Sequence, residues 1–177
     1  MKHTTYPDAI SVIHNRKSVR NLTGASMQQG VIDILLKAAM AAPSAVNCQP
    51  WEFIVVKDRK TLDALGEVLP YAKMIFKAGA AIIVCGVPSL AHRHMTEYAV
   101  IDATLASQNI LLAAEAIGLG AIWTAAYPYP DRMQSVRMIL QIPAHIIPLN
   151  VIPIGHPTGE DKPKDKFNPE KIHKEQW

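Results

Sequence analysis

Two stretches of this 177-residue chain carry side chains whose types and spacing could do chemistry. The first is NRKSVR, Asn15 to Arg20, which sets Arg16, Lys17, Ser18 and Arg20 at the exit of an amphipathic helix. Cations in a last helical turn complement the helix dipole, and that accounts for one or two of them. Three cations and a hydroxyl in five residues also make a phosphate cradle, because the arginine fork matches phosphate oxygens. The second stretch is AAPSAVNCQPWEFIVV, Ala41 to Val56, which places Ser44, Asn47 and Gln49 between Pro43 and Pro50 in an otherwise apolar setting. Such side chains commonly satisfy turn backbone. A hydroxyl and two amides can equally read a flat ring that carries donors and acceptors around its edge. The turn explains Gln49 least. A third segment, KPKDKF, adds Lys162, Lys164 and Lys166. Lysine-rich tails are ordinarily solvated, but a docked one would bring its lysines to the same phosphate as Arg16 and Arg20. Cradle and edge reader together point to a phosphorylated heteroaromatic cofactor.

The elements that must position these residues follow from hydrophobic period. Asp8 precedes Ala9, Ile10, Val12 and Ile13, a capped helix with one apolar face. A second helix is expected from Ser26, where Ser26 and Gln29 have capping-box spacing, to the residues before Pro43. WEFIVVK reads as a strand, 60–69 as a helix, YAKMIFKAG as a short helix, and AAIIVCGV as a strand buried on both faces. A long helix over 95–117 leads to a short strand, AIWT. Asp131 is expected to cap a helix ending at Pro143, and LNVIPIG is the last strand, with Pro153 arguing for an edge position or a bulge. Helices with a few separated strands, rather than a regular alternation, favour α+β over a doubly wound sheet.

Composition narrows the function classes. Length and 49% hydrophobic residues fit a single domain with a real core. A net charge of +3, with no aromatics interleaved among the basic residues, argues against nucleic acid. The apolar stretch from Ala99 to Tyr127 is interrupted by Asp102, Gln108, Asn109 and Glu115, so it reads as the centre of a core or dimer interface rather than a membrane span. Asp102 itself is expected as a helix cap or buried hydrogen-bond partner. Cys48 and Cys85 have neither disulfide nor zinc spacing, and MKHTTYPDAI has no apolar signal core, so a cytosolic protein is expected. His92 and His94 lack spaced partners, and no metal site is assigned. GLGAIW lacks a third glycine and the strand-to-helix setting of a dinucleotide fold. The tail over 156–177 is polar yet holds Phe167, Ile172 and Trp177, which a free linker would not need. It is expected to dock on a second copy.

Taken together, RKSVR, APSAVNCQPWEFIVV, QNILLAAEAIGLGAIW, IPIGHP and KPKDKF resemble, in order and over nearly the whole chain, the motifs of the nitroreductase family of FMN-dependent oxidoreductases. That resemblance implies an α+β fold with a central, mainly antiparallel sheet flanked by helices. It implies a single FMN-binding domain over 1–155 and a C-terminal arm over 156–177 exchanged in a homodimer. It further implies that Arg16, Ser18 and Arg20 hold the phosphate, ribityl chain and pyrimidine edge, with Lys17 acting through its backbone. Pro43, Ser44, Ala45, Asn47 and Gln49 would line the ring from the partner subunit. Thr124, Ala125 and Ala126 would offer backbone N–H groups near the reactive nitrogen, and Lys164 and Lys166 would complete the phosphate site. The second of these lysines departs from the family's more usual arginine and loses its bidentate fork. The implied activity is a ping-pong transfer of electrons from NADH or NADPH to a nitroaromatic, quinone or similar conjugated acceptor. Alternatives are other flavin chemistry, such as dehalogenation or dehydrogenation, and a non-catalytic flavin-binding module. No side chain is assigned as catalytic; Arg20 is the candidate for stabilising negative charge on the flavin.

Overall fold

The computed structural model describes residues 7–177; residues 1–6, part of the N-terminal stretch considered above, lie outside the described residues. In chain order the elements are α1 (Ala9–Asn15), α2 (Gln29–Met40), β1 (Trp51–Val56), α3 (Arg59–Val68), β2 (Ala80–Gly86), α4 (Thr96–Ala116), β3 (Gly120–Ala121), β4 (Thr124–Ala125), α5 (Pro130–Leu140) and β5 (Ile147–Gly155). The strands form one antiparallel sheet in the order β1-β2-β5-β3, with β4 also paired to β5. Every residue of β2 is buried because both faces of the sheet are covered. Side chains of a strand alternate between faces. Ala81, Ile83 and Cys85 therefore pack with Leu62 and Leu65 of α3 and Val136 of α5, while Ala80, Ile82 and Val84 meet Ile32 and Leu35 of α2 and Ala106 and Ile110 of α4. The α+β class expected from the sequence is the one observed.

Local signals were partly overridden by packing. Asp8 does cap α1, accepting from the Ser11 N–H at 3.0 Å. Ser26 does not start α2: the helix begins at Gln29 behind Gln28, with no side-chain cap. The preceding segment is held extended against Gly79, where an added Cβ would lie 2.3 Å from the Ala25 carbonyl oxygen and 2.8 Å from Met27 Cγ. Asp131 is not the cap of α5 either. Pro130 takes the first helical position, for which its fixed φ suits it, so Tyr129 is the N-cap and Asp131 sits in the first turn.

The proline in the last strand required the largest correction. Far from being an edge, β5 lies inside the sheet, between β2 on one side and β3 and β4 on the other. The carbonyls of Leu149 and Val151 face the β4 side, since they accept from the Ala126 N–H and the Thr124 hydroxyl. By the two-residue period Pro153 faces the same way. Its missing N–H meets the break at Ile122 and Trp123 that splits AIWT into β3 and β4. Pro148 in turn lies where the β2–β5 register shifts, between Val84 and Cys85.

No helix among the described residues is long and apolar enough to cross a membrane. One side of α4 is buried against α2 and the sheet, and the other leaves Ile101 and Leu105 exposed. After β5, the chain does not depart at once. Pro157 pairs with Leu22, the Thr23 N–H donates to the His156 carbonyl, and the Thr158 N–H donates to the Asn21 carbonyl. The start of the tail, as far as Thr158, is thus tied to its own chain's fold, and Asp161 and Asn168 are the partly covered residues after it.

Candidate functional site

The loop from Arg16 to Leu22 leaves α1 and crosses β3, where the Val19 N–H donates to the Ala121 carbonyl at 3.1 Å. Close approach is possible because residue 120 is glycine; a Cβ there would lie 2.6 Å from Val19 Cγ1. Val19 is buried, Arg20 is exposed, and Arg16, Lys17 and Ser18 are partly covered. The tail returns along this loop. Arg16, Lys17, Ser18, Arg20, Lys162, Lys164 and Lys166 line one cavity of about 560 Å³ together with Glu160 and Asp161. Residues at the two ends of the sequence are thereby brought together, and their donors fit the oxygens of a phosphate group.

Lys17 stands apart within this set. Its ammonium is 3.1 Å from both carboxylate oxygens of Glu115 near the end of α4. Both side chains are partly buried, so the pair pins the cradle loop to α4. Asp161 is the other ordered anion. One of its oxygens accepts from the backbone N–H groups of Arg20 at 3.0 Å and Asn21 at 3.1 Å, with Asn21 Nδ2 at 3.4 Å. Neither Glu115 nor Asp161 was anticipated from the sequence. An acid in a lysine-rich tail gives no sign of a partner 141 residues away.

The second stretch forms a separate group. Val46, Asn47 and Gln49 adopt φ of 45°, 58° and 51°. For an L-residue such left-handed backbone costs roughly 1–2 kcal/mol, so surrounding contacts must hold it. Ser44 Oγ accepts from the Gln49 N–H at 2.9 Å, the turn role weighed above against ring contact. The Ala45 N–H donates to both carboxylate oxygens of Asp102, at 3.2 and 3.3 Å, so Asp102 is the buried hydrogen-bond partner expected of it. Burial pushes the Asp102 carboxyl above its ordinary range, and the Ala45 N–H pulls the other way. Gln49 Nε2 donates to Asn47 Oδ1 at 2.9 Å. The pair then leaves the Asn47 NH2, the second N–H of Gln49 and the Gln49 carbonyl oxygen for a ligand, on two exposed residues. Pro43, Ser44, Ala45, Asn47 and Gln49 do not line the cradle cavity of the same chain.

Thr124, Ala125 and Ala126 lie on the sheet at its β4 edge, where Thr124 and Ala125 pair with Val151 and Asn150. The Ala126 N–H is engaged by the Leu149 carbonyl at 3.1 Å, so that amide is already committed within the sheet. Arg132 lies over the Tyr129 ring at 3.7 Å and reaches the Ala125 carbonyl at 3.5 Å. Among the described residues no three His, Cys, Asp or Glu side chains converge as metal ligands would; His94 Nδ1 instead contacts the Ser89 carbonyl at 2.8 Å.

The family model described as the nitroreductase family matches residues 13–69 and 67–156. The chain belongs to the nitroreductase family. It is 44% identical over 170 residues to the "Putative NADH dehydrogenase/NAD(P)H nitroreductase" of Methanothermobacter thermautotrophicus, covering 96% of this chain and 88% of that one. The crystal structure of a protein of the same name from Parabacteroides distasonis superposes with a TM-score of 0.90 at 48% identity, over 96% of this chain and 98% of the other. The FMN reductase (NADPH) of Bacillus subtilis is 27% identical over 188 residues, 95% of this chain and 73% of its own. As a nitroreductase-family member, the chain combines the family's α+β fold with a cavity lined by basic residues from near both ends of the sequence.

Proposed function

We propose that this protein is a cytosolic, homodimeric FMN-dependent oxidoreductase that carries electrons from NADH or NADPH to a nitroaromatic, quinone or similar conjugated acceptor in ping-pong order. The observation that carries this reading is the convergence of Arg16, Ser18 and Arg20 with Lys164 and Lys166 on one cavity. When bound, FMN supplies the redox chemistry that none of the twenty side chains offers. The protein's part is to hold, orient and polarise. Arg16, Ser18, Lys164 and Lys166 take the phosphate, the lysines as point charges and the arginine as a fork. Arg20 stabilises negative charge on the pyrimidine edge. Lys17 fixes the loop through Glu115 and leaves its backbone to the ligand.

Amide recognition then comes from a second copy. Within one chain the 43–49 loop and the cradle line different surfaces, so a complete site needs two subunits. The exposed Ile101 and Leu105 on α4, Ile34 and Met40 on α2, and Phe167 and Trp177 in the tail support such a pairing. The arm beyond Lys166 crosses to the partner in this reading. The donor on Asn47 and the acceptor on Gln49 face the ring edge, and the strained backbone of 46–49 presents them. The backbone N–H offered near the reactive nitrogen comes from Ala125, whose neighbours Thr124 and Ala126 both face β5.

The visible spectrum of the purified protein, recorded before and after anaerobic NADH or NADPH, tests this. Flavin bands that bleach on addition, followed by reoxidation with a quinone or nitroaromatic, are expected. Bands that persist with both donors would make the protein a flavin-binding module. A colourless protein that also refuses added FMN would overturn the assignment of both motifs.

A further inference from the structure

We propose that Asp161 is a positioning residue, a carboxylate latch that holds the lysine-bearing segment 162–166 over the cradle loop. The inference rests on the phosphate reading of that cavity. An acid lining an anion site needs a reason, because a like charge near the phosphate weakens binding. Asp161 has one. Its Oδ2 accepts the backbone N–H groups of Arg20 and Asn21, 3.0 and 3.1 Å away. Its negative charge is thereby turned onto two peptide donors next to Arg20.

Geometry makes this contact decisive for the lysines. The tail is tied to loop 21–23 by two backbone hydrogen bonds, at His156 and Thr158, which flank the Leu22–Pro157 pair. Among the described residues Asp161 is the last one bonded to that loop, and it is partly covered between exposed Glu160 and exposed Lys162. Lys164 and Lys166 follow it by three and five residues, and only Lys162 among the intervening side chains bonds back, to the Gly159 carbonyl within the tail itself. Without the latch, Lys164 and Lys166 hang from Thr158, and ordering them on a phosphate costs conformational entropy at binding.

The counter-charge and the latch make opposite predictions for Asp161→Ala. Removing a simple counter-charge tightens FMN binding. Removing the latch weakens it about tenfold, the scale of a lost charge-assisted hydrogen bond. The experiment is a double-mutant cycle on the dissociation constant of FMN, measured by flavin fluorescence in four proteins: wild type, Asp161→Ala, Lys164→Ala/Lys166→Ala and the triple variant. The expected result is a loss on Asp161→Ala in the wild-type background that shrinks below about twofold once the lysines are gone. Unchanged or tighter binding in Asp161→Ala overturns the proposal, and so does an equal loss in both backgrounds, which would be a general structural effect. Asp161→Leu, which keeps similar bulk but has no acceptor, repeats the cycle if the alanine variant folds poorly. Tryptic cleavage after Lys164 and Lys166 in flavin-free protein reads the latch without FMN; faster cutting in Asp161→Ala is expected, and equal cutting overturns the proposal. If wild type itself binds no FMN, the phosphate reading fails, while the cleavage comparison still decides the latch.

Discussion

Gly120 is the residue on which the cradle loop rests, and its replacement by alanine gives the sharpest test of how that loop is held. An added Cβ would stand 2.6 Å from Val19 Cγ1, 2.9 Å from Val19 Cβ and 3.0 Å from Leu22 Cδ2. Carbon atoms pack best at about 3.5–4.0 Å, so the closest contact is short by roughly 1 Å. Neither neighbour is the free end of a flexible chain: Val19 is 1% exposed and Leu22 6%, and Val19 is β-branched beside its own backbone. The loop must therefore lift as a unit, at about 1–3 kcal/mol for overpacking. For a chain of this length each kcal/mol lowers Tm by roughly 2–4 °C, so Gly120→Ala should melt about 2–12 °C below wild type. Thermal scans of flavin-free protein at one concentration measure it, and FMN affinity should fall in parallel because Arg16 and Arg20 ride on the same loop. Val19→Ala in the Gly120→Ala background removes the closest atom, so the double variant should be more stable than the sum of the two single changes by at least about 0.5 kcal/mol. An unchanged Tm, or strict additivity, would refute the claim that this contact sets the position of the loop.

Asp102 and the two cysteines give further tests. Burial holds the Asp102 carboxyl above 3.8, so the folded state keeps that proton longer than the unfolded chain does. The group's contribution to stability then declines as pH rises from the unfolded value through the folded one, and the neutral protein carries the full cost. Asp102→Asn keeps an acceptor for the Ala45 N–H; its Tm at pH 7 should exceed that of wild type, and a lower Tm would show the charge to be stabilising. Burial, then the nearby Glu52 carboxylate, push the Cys85 thiol up to about 12. At pH 8 a thiol reagent should therefore modify Cys48, which is partly exposed, and reach Cys85 only after denaturation; two fast equivalents in native protein would contradict the burial assigned to it.

What could be read from sequence depended on the range of the interactions involved. The AAIIVCG run, the long α4 and the Asp8 cap are settled by residues within a few positions of one another, and they fold as their patterns indicate. Ser26 and Asp131 had acceptable local signals that lost to neighbours, the first to packing of 25–27 on Gly79 and the second to Pro130. Pro153 was expected at an edge or a bulge; it lies inside the sheet, and the break at Ile122 and Trp123 that accommodates it is on a different strand. In the site, the residue types of the cradle were visible, since three cations and a hydroxyl are themselves a chemical statement. The carboxylates that organise them were not. Glu115 and Asp161 act through partners at distant positions in the chain, and no spacing rule encodes that.

The two prolines of β5 bear on how the sheet is assembled as well as on how it looks. Ile147–Gly155 is almost wholly apolar, and a segment of that kind, exposed while the chain is still collapsing, is a ready template for cross-strand aggregation. Pro148 and Pro153 deny it an unbroken row of donors, so a neighbouring molecule meets gaps on both edges. Slipping by one residue against β2 or β4 would set a proline against an intact ladder and turn every core side chain to the wrong face. Only the pairing that matches each proline to its own irregularity, the shift at Val84/Cys85 and the break at Ile122–Trp123, satisfies the strand. The prolines thus act as a proofreading device for the sheet, rejecting other registers and other chains.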